Sequence, residues 1–596
     1  MAARLPLFLL LLGGCWRPCC GKPLNLLYIL VDDLRPELGA YGVPSGATAG
    51  SPNIDKLAAD SLVFERAYTQ QAVCGPSRNS FLSGRRPDST KAYTFANSFR
   101  DVGANWTSLL GFLKNKGNYA VAGQGKIYHP GSPPADDGAL SWSEAFLPYP
   151  EWSQGSDSCP GSGVVYDPAT ERPVVATAAA AADDDEAGVP ANALNGPACP
   201  LAPDANVTDH RIASLALENL AKLTASAAAA QQPWALAVGF HKPHLPWAVP
   251  STYYDMAPDA ASIPLAVHPT APAAMPELAF WSCSESELAG YSNVNISAGT
   301  PLDDALARSW RRGYYASVRY TDAMVGLVLD GLEAAGHKDD TVVVFHGDHG
   351  WQLGEHGEWW VAACAAPCTR RTAAIIPCAP SQPSSPPPPL PIDPLLFLSR
   401  NDRRCKQTNF ELATRVPLII RVPGAAGAAS RGKRARAFVE LVDMYKTLAD
   451  VLGLGEVEQG VEGSSFASLL LDDPAGNHSA HAFSQYPRCK GGADCMTFAR
   501  TDIEAMGYSV RGEGARYTEW RTWSGAALEA DWSAAGLLGA ELYPHTNDPV
   551  LNMSDWDSSE NANEAANEAY APLRAELAQV LAAQFDAPGK RREQTE

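Results

Sequence analysis

The sequence predicts an α/β protein: a sheet flanked by helices, followed by a smaller antiparallel C-terminal part. Three apolar runs carry the first prediction. Residues 24–31 (LNLLYILV) stop at Asp32–Asp33, residues 234–240 (WALAVGF) stop at His241–Lys242, and residues 341–345 (TVVVF) lead into Gly347–Asp348–His349. Runs without alternation suit strands buried on both faces, as in a parallel sheet. In such sheets ligands sit beyond the carboxyl ends of the strands, and here each run delivers polar residues to that end.

Helical stretches lie between the runs, at 55–62, 209–221 and 322–335. The last sets Ala323, Val325, Leu327, Val328, Leu329 and Leu332 along a helix face. Beyond about residue 454 the character changes. Segments 484–488, 507–510 and 516–523 read as short strands with turns, and 562–585 as a closing helix. The expected organisation is a leader over 1–21, a catalytic domain over 22–455 and a C-terminal domain over 456–590, with 590–596 as a disordered tail.

The leader reading rests on a short basic start at Arg4 and an apolar run at 5–12, too short to span a bilayer. Cleavage is expected near Cys20–Lys22; an ordinary buried strand or helix is the alternative. No other segment is apolar enough to cross a membrane. Sequons at Asn105, Asn206, Asn295, Asn477 and Asn552 agree with export. A net charge of -20 excludes a nucleic-acid partner and disfavours an anionic membrane. A polyanionic substrate would need a local basic pocket.

Of thirteen cysteines, Cys15, Cys19 and Cys20 leave with the leader. Setting Cys74 aside, the remainder is odd, so at least one is unpaired within the chain. Cys159 with Cys199, and Cys489 with Cys495, are the loop-closing pairs expected, although spacing alone leaves other connectivities open. Residues 176–187 are alanine and aspartate, a surface loop by composition. Residues 361–405 carry a Ser-Pro tract and Cys364, Cys368 and Cys378, and interrupt an otherwise continuous region.

Chemistry concentrates in a few places. Cys74–Gly75–Pro76–Ser77–Arg78 precedes a helical stretch with Leu82–Ser83–Gly84–Arg85. Asp32 and Asp33 at one strand end, and Asp348 at another, are hard oxygen ligands for a divalent cation; His349 is a softer one. Oxygen-rich ligation favours calcium or magnesium over zinc. An Asp pair alone reads more simply as a helix cap or turn. Gly125–Lys126–Ile127–Tyr128–His129 and His241 add cationic and proton-transferring groups. Singly, each histidine reads as a satisfied core or surface residue; their convergence at strand ends makes the argument.

These segments resemble the sulfatase family of the alkaline-phosphatase-like superfamily, with wording similar to its iduronate 2-sulfatase branch and bacterial relatives. The words LYILVDDLRPELGAYG, SPNIDKLA, QQAVCGPSR, GRRPDST, GKIYHPG, AVGFHKPHLP, YYASVRYTDAMVG, GDHGWQLGEHGEW, NFELATRVPLII, VELVDMYKTLA, SQYPR and MGYSVR carry the resemblance in order. It implies an alkaline-phosphatase-like mixed sheet and a secreted or lysosomal enzyme. A formylglycine-generating enzyme of the secretory pathway would oxidise Cys74 to formylglycine. The hydrate of that aldehyde has two hydroxyls: one attacks sulfur, and loss of the other's proton expels sulfate.

The resemblance also implies metal ligands at Asp32, Asp33, Cys74 as formylglycine, Asp348 and His349, with calcium preferred to magnesium. Many sulfatases carry Asn where His349 stands. Sulfate-site residues fall on Arg78, Lys126, His129 and His241. Lys126 holds the anionic centre, His129 takes the hydroxyl proton, His241 protonates or shields the leaving oxygen, and Arg78 bonds formylglycine and sulfate oxygens. The remaining lysine falls on Lys406, across the 361–405 insertion. That insertion is a Pro-rich loop that lets Lys406 return, or a translated intron; transcript sequencing separates the two.

The implied substrate is a sulfated sugar, a 2-O-sulfated uronic acid at a glycan end, with Trp351, His244, Gln485 and Arg488 as rim candidates. The alternatives are a phosphonate or phosphate monoester hydrolase of the superfamily, and a non-catalytic secreted binder of sulfated glycans.

Overall fold

A computed structural model describes residues 22–144, 159, 164–167, 172–175, 198–279, 302–357, 406–489, 495–545 and 559–586. The leader, the 176–187 stretch, the 361–405 insertion, the tail, Asn295 and Asn552 lie outside these residues.

Seven strands form the central sheet: β1 Asn25–Val31, β2 Leu62–Tyr68, β3 Ala120–Gly125, β4 Trp234–Phe240, β5 Thr341–Gly347, β6 Arg415–Arg421 and β7 Lys433–Glu440. Their order is β7-β2-β6-β5-β1-β4-β3. β6 alone runs antiparallel to its neighbours β2 and β5, so the sheet is mixed. The three apolar runs are β1, β4 and β5, adjacent and parallel at the centre. Val31 faces Phe240 on one side and Gly347 on the other. The strands therefore end at one level, and the residues after them emerge side by side.

Alternate residues enter opposite layers, as the pleat requires. Leu27, Ile29 and Val31 join one core with helices α1 Pro52–Ala59, α4 Thr208–Ala230 and α5 Asp304–Ala334. Leu26, Tyr28 and Leu30 join another with α2 Cys74–Ser83, α3 Leu109–Asn115 and α6 Met444–Val451. Residues buried on both faces explain the lack of alternation in the sequence.

Several elements differ from expectation. The helix expected at 55–62 begins at Pro52, whose fixed φ and missing N–H suit the first turn. α5 starts well before residue 322; Asp303 caps it by accepting from the amides of Ala305 and Leu306. The closing helix α7 spans only Ala571–Phe585, with Pro572 in its first turn.

A separate sheet follows: β8 His481–Cys489, β9 Ile503–Gly512, β10 Ala515–Ser524, β11 Glu529–Ala530 and β12 Leu537–Pro544. β8, β9 and β10 pair antiparallel in sequence, and β10 also pairs with β11 and β12. Disulfides join Cys159 to Cys199 and Cys489 to Cys495.

A buried ionic cluster ties this sheet to the central one. Glu411, just before β6, accepts from Arg511 Nε at 3.1 Å, Arg516 at 2.6 Å and Tyr68 Oη at 2.8 Å. Arg516 Nε also bonds Glu560 at 2.7 Å. Burial pushes the Glu411 carboxyl up, but Arg511 and Arg516 outweigh it and hold the group well below the usual range. Breaking a buried pair leaves uncompensated charge, at a cost of about 3–5 kcal/mol. Glu411→Ala is therefore expected to lower the urea midpoint by a corresponding amount; a variant as stable as the parent would refute this role.

Candidate active site

The nucleophile candidate begins a fully buried helix. α2 starts at Cys74, after extended Val73, and all ten of its residues are buried. Pro76 is tolerated because the first turn has no amide bond to lose. Gly84 closes the helix at φ +65°, a left-handed turn that favours glycine, and a Cβ there would meet Val461 at 2.8 Å. Ser77 ties α2 to the end of β5, its Oγ donating to the Asp348 carbonyl at 2.6 Å.

Arg78 braces three strand ends. Its Nε donates to Asp348 Oδ2 at 3.0 Å, a terminal nitrogen reaches Asp32 Oδ1 at 3.1 Å, and another bonds the Ile127 carbonyl at 3.3 Å. The strand ends are also stitched directly: the Asp32 amide donates to Phe240, Asp348 to Val31, and Lys126 to Gly239.

Cys74 Sγ, standing where a formylglycine oxygen would lie, is fully enclosed. It meets Asp32 Oδ1 at 3.2 Å, His349 Nε2 at 3.2 Å, Lys406 Nζ at 3.1 Å and Lys126 Nζ at 3.8 Å. Lys126 pairs with Asp32 at 2.5 Å, and Lys406 pairs with Asp33. Lys406 thus returns to the site from across the insertion. The flanks hold each other: Gly350 donates to the Ala413 carbonyl, Gln352 bonds Thr408 at 3.2 Å, and His356 stacks on Phe410 at 4.3 Å.

Three carboxylates and three cations meet here, so the site is close to neutral if all are ionised. Burial pushes Asp32 up, but Lys126 and Arg78, with His244 and Lys406, hold it well below the usual carboxylate range. Burial pushes Asp33 up to about 6, partly offset by Lys406. Burial, reinforced by Asp32, pushes Asp348 up to about 8. Burial and Asp32 also push the Cys74 thiol up, so this cysteine is not a ready thiolate.

The residues fit a divalent cation. Donor atoms of Asp32, Asp33, Cys74 and His349 lie within 4.8 Å of one another. Asp33 Oδ2 is buried and has no hydrogen-bond partner, a state that is costly without a counter-charge. His349 Nδ1 meets the Gly350 carbonyl at 2.9 Å. A carbonyl only accepts, so Nδ1 carries the proton and Nε2 keeps a lone pair facing the site. Burial, then Lys406, pushes His349 well below its ordinary value, which keeps the ring neutral as ligation requires. Asp348, also expected as a ligand, borders this group, with its Oδ2 3.3 Å from His349 Nε2. Its Oδ1 accepts from the amides of Asp33 and His349, and its Oδ2 takes Arg78.

His241 follows β4 and shares a second close group with Asp32 and His244. Both carboxylate oxygens of Asp209 accept from the loop, from the His241 and Lys242 amides at 2.8 Å each. Asp209 was not legible as a site residue, because an acid in the first turn of a helix is commonplace. His129 has its Nδ1 on the Pro130 carbonyl at 2.8 Å and its ring stacked on Phe95.

Among the rim candidates, Trp351 lies under Lys406, 5.2 Å from ring centre to Nζ, and His244 belongs to the site itself. Gln485 bonds Asp88 at 2.8 Å; Arg488 bonds the carbonyls of Leu278, Gln407 and Ala279. Arg488 thus braces backbone around the site, and Gln485 holds the Asp88 side chain.

The sulfatase family model matches residues 24–454. The chain belongs to the sulfatase family. Sulfatases of this family are sulfuric ester hydrolases. The chain is 32% identical to iduronate 2-sulfatase of Mus musculus, covering 90% of this chain and 92% of that protein. It is 31% identical to the Homo sapiens iduronate 2-sulfatase, at 91% and 92% coverage. It is 26% identical to choline-sulfatase of Rhizobium meliloti, at 76% and 72% coverage.

Solved structures share the fold. The phosphonate monoester hydrolase SpPMH from Silicibacter pomeroyi has a TM-score of 0.61 at 19% identity, covering 94% of each chain. BT4656, in complex with its substrate D-glucosamine-2-N,6-O-disulfate, has a TM-score of 0.59 at 16% identity, covering 96% of this chain and 100% of that one.

The sulfatase site makes a prediction that does not depend on turnover. A divalent cation at 100 times its Kd should stabilise the protein by about 2.7 kcal/mol. Thermal melting should rise with added cation for the parent and stay flat for Asp33→Asn. An equal rise in both would remove Asp33 from the ligand set.

Proposed function

We propose that this sulfatase hydrolyses the sulfate ester of a 2-O-sulfated uronic acid at the end of a glycosaminoglycan-like chain. The observation that carries the reading is the placement of Cys74 Sγ between Asp32, His349 and Lys406, each within 3.2 Å. The sugar assignment draws on the iduronate 2-sulfatase relatives.

Formylglycine at Cys74 supplies an oxygen nucleophile, with a second hydroxyl for sulfate release. Asp32, Asp33, Asp348, His349 and Cys74 as formylglycine would hold calcium, which when bound would supply Lewis acidity. Calcium suits this set better than magnesium, which demands near-ideal octahedral geometry.

The protein's own groups divide the remaining work. Lys406 and Lys126 flank the nucleophile and neutralise the carboxylates around it. Adding a dication to a nearly balanced set leaves a positive centre suited to a sulfate ester anion, despite the net charge of -20. Arg78 keeps Asp32 and Asp348 in place and offers donors for anionic oxygens. With Nδ1–H donating to Pro130, Nε2 is the His129 atom assigned to take the hydroxyl proton. His241, clamped by Asp209, donates to or shields the leaving oxygen.

We assign the chain to the secretory pathway, secreted or lysosomal, where the formylglycine-generating enzyme acts. The leader, the two disulfides and exposed sequon residues Asn105, Asn206 and Asn477 support this. No helix among the described residues is long and apolar enough to cross a membrane.

Two measurements test the proposal. Mass spectrometry of the Cys74 peptide, from cells with a competent secretory pathway, should find formylglycine; unmodified cysteine would sink the mechanism. Turnover should then be greatest with a terminal 2-O-sulfated uronic acid, ahead of other sulfated sugars and of phosphate and phosphonate monoesters. Preference for a phosphonate ester would assign the rival hydrolase activity, and glycan binding without turnover of any ester would assign the non-catalytic one.

A further inference from the structure

We infer that Phe95 is a positioning residue for His129, and that the C-terminal sheet reaches the active site through it. The inference rests on the reading of His129 as the proton acceptor.

Phe95 lies between the nucleophile turn and the histidine. Its ring stacks on His129 with centroids 4.4 Å apart and planes 25° from parallel. The other neighbour is Gly75, the residue after the nucleophile. A Cβ built there would lie 2.7 Å from Phe95 Cδ1 and 3.1 Å from Cε1. The ring thus occupies space that any larger residue at position 75 would claim, and it fills the place between the nucleophile turn and His129.

His129 Nδ1 bonds the adjacent Pro130 carbonyl at 2.8 Å, along one edge of the ring. The flat aromatic face of Phe95 against the ring restricts its tilt, and stacked aromatic pairs contribute beyond their buried area.

Phe95 is held from two sides. Its amide donates to the Met496 carbonyl at 3.0 Å. Met496 is fully buried and follows Cys495, which is bonded to Cys489 at the end of β8. A few residues on, the Phe99 amide donates to Asn79 Oδ1 on α2 at 2.9 Å. The segment from Phe95 to Phe99 therefore bridges the motif helix and the C-terminal sheet. Tyr93, Phe95, Cys74, Cys489, Cys495 and Met496 share one apolar cluster.

The test is a double-mutant cycle with the sulfate ester turned over fastest by the parent, each variant normalised to its formylglycine content by mass spectrometry. Phe95→Leu should lower kcat about 10- to 100-fold, the scale of a misplaced catalytic group, with KM within about twofold of the parent. Phe95→Tyr keeps the stacking face and should restore kcat to within about threefold. In a His129→Ala background, Phe95→Leu should cost nothing further, because coupled residues are not additive. The same loss in both backgrounds, or an undiminished kcat in folded Phe95→Leu, overturns the inference. Undiminished kcat in His129→Ala alone overturns the proton-acceptor reading and this inference with it. Gly75→Ala provides an independent variant: it should displace the ring and lower kcat, and an undiminished kcat there also counts against the inference.

Discussion

Val31 pairs with Phe240 on one side and with Gly347 on the other, and the site depends on that register. The next residues, Asp32, His241 and Asp348, must emerge at one level of the sheet. Slipping one strand by one residue would turn its side chains to the other face. Crowding carboxylates this closely in a buried place is costly. Arg78, Lys126 and Lys406 offset that cost by pairing with them. Three elements outside the central strands supply these cations, so the electrostatics of the site tie helix α2, the end of β3 and the segment before β6 to one point.

The C-terminal sheet takes part in the same arrangement at two depths. Arg511 and Arg516 reach across to Glu411 beneath the sheet, and Ser484 Oγ donates to the Thr69 carbonyl just ahead of the nucleophile turn. Gln485 donates its amide to the Gln70 carbonyl. The sulfatase family model ends at residue 454, yet the walls of the nucleophile turn come from both parts.

Much of this was legible in the sequence, for physical reasons that vary by residue. β1, β4 and β5 showed as unbroken apolar runs because both faces are covered. β2 did not, since Glu65 and Arg66 interrupt LVFERAY; both are buried and paired, with Arg434 and Glu513, and pairing is invisible along the chain. Cys74, Asp32, Asp33, His349, Lys126 and Lys406 were nameable from local words, and the structure gathers them. Asp209 and Phe95 carried no signal, because their importance lies in what they touch. Asp348, expected as a ligand, has Oδ2 3.3 Å from His349 Nε2, and its two oxygens also take two amides and Arg78. Strand-end position predicted that it would be present; it could not predict how its two oxygens would be shared.

Lys406 occupies its place although dozens of residues separate it from Gly357. The reason is the zip formed by Gly350 with Ala413, Gln352 with Thr408, and His356 with Phe410. Once two flanks are fastened to each other, the length of chain between them adds little: each doubling costs only about 0.6 kcal/mol in closure entropy. Distance along the gene is thereby decoupled from distance in space. Such a junction is a permissive site for insertion, where a lineage can gain or lose coding sequence while the lysine keeps its address.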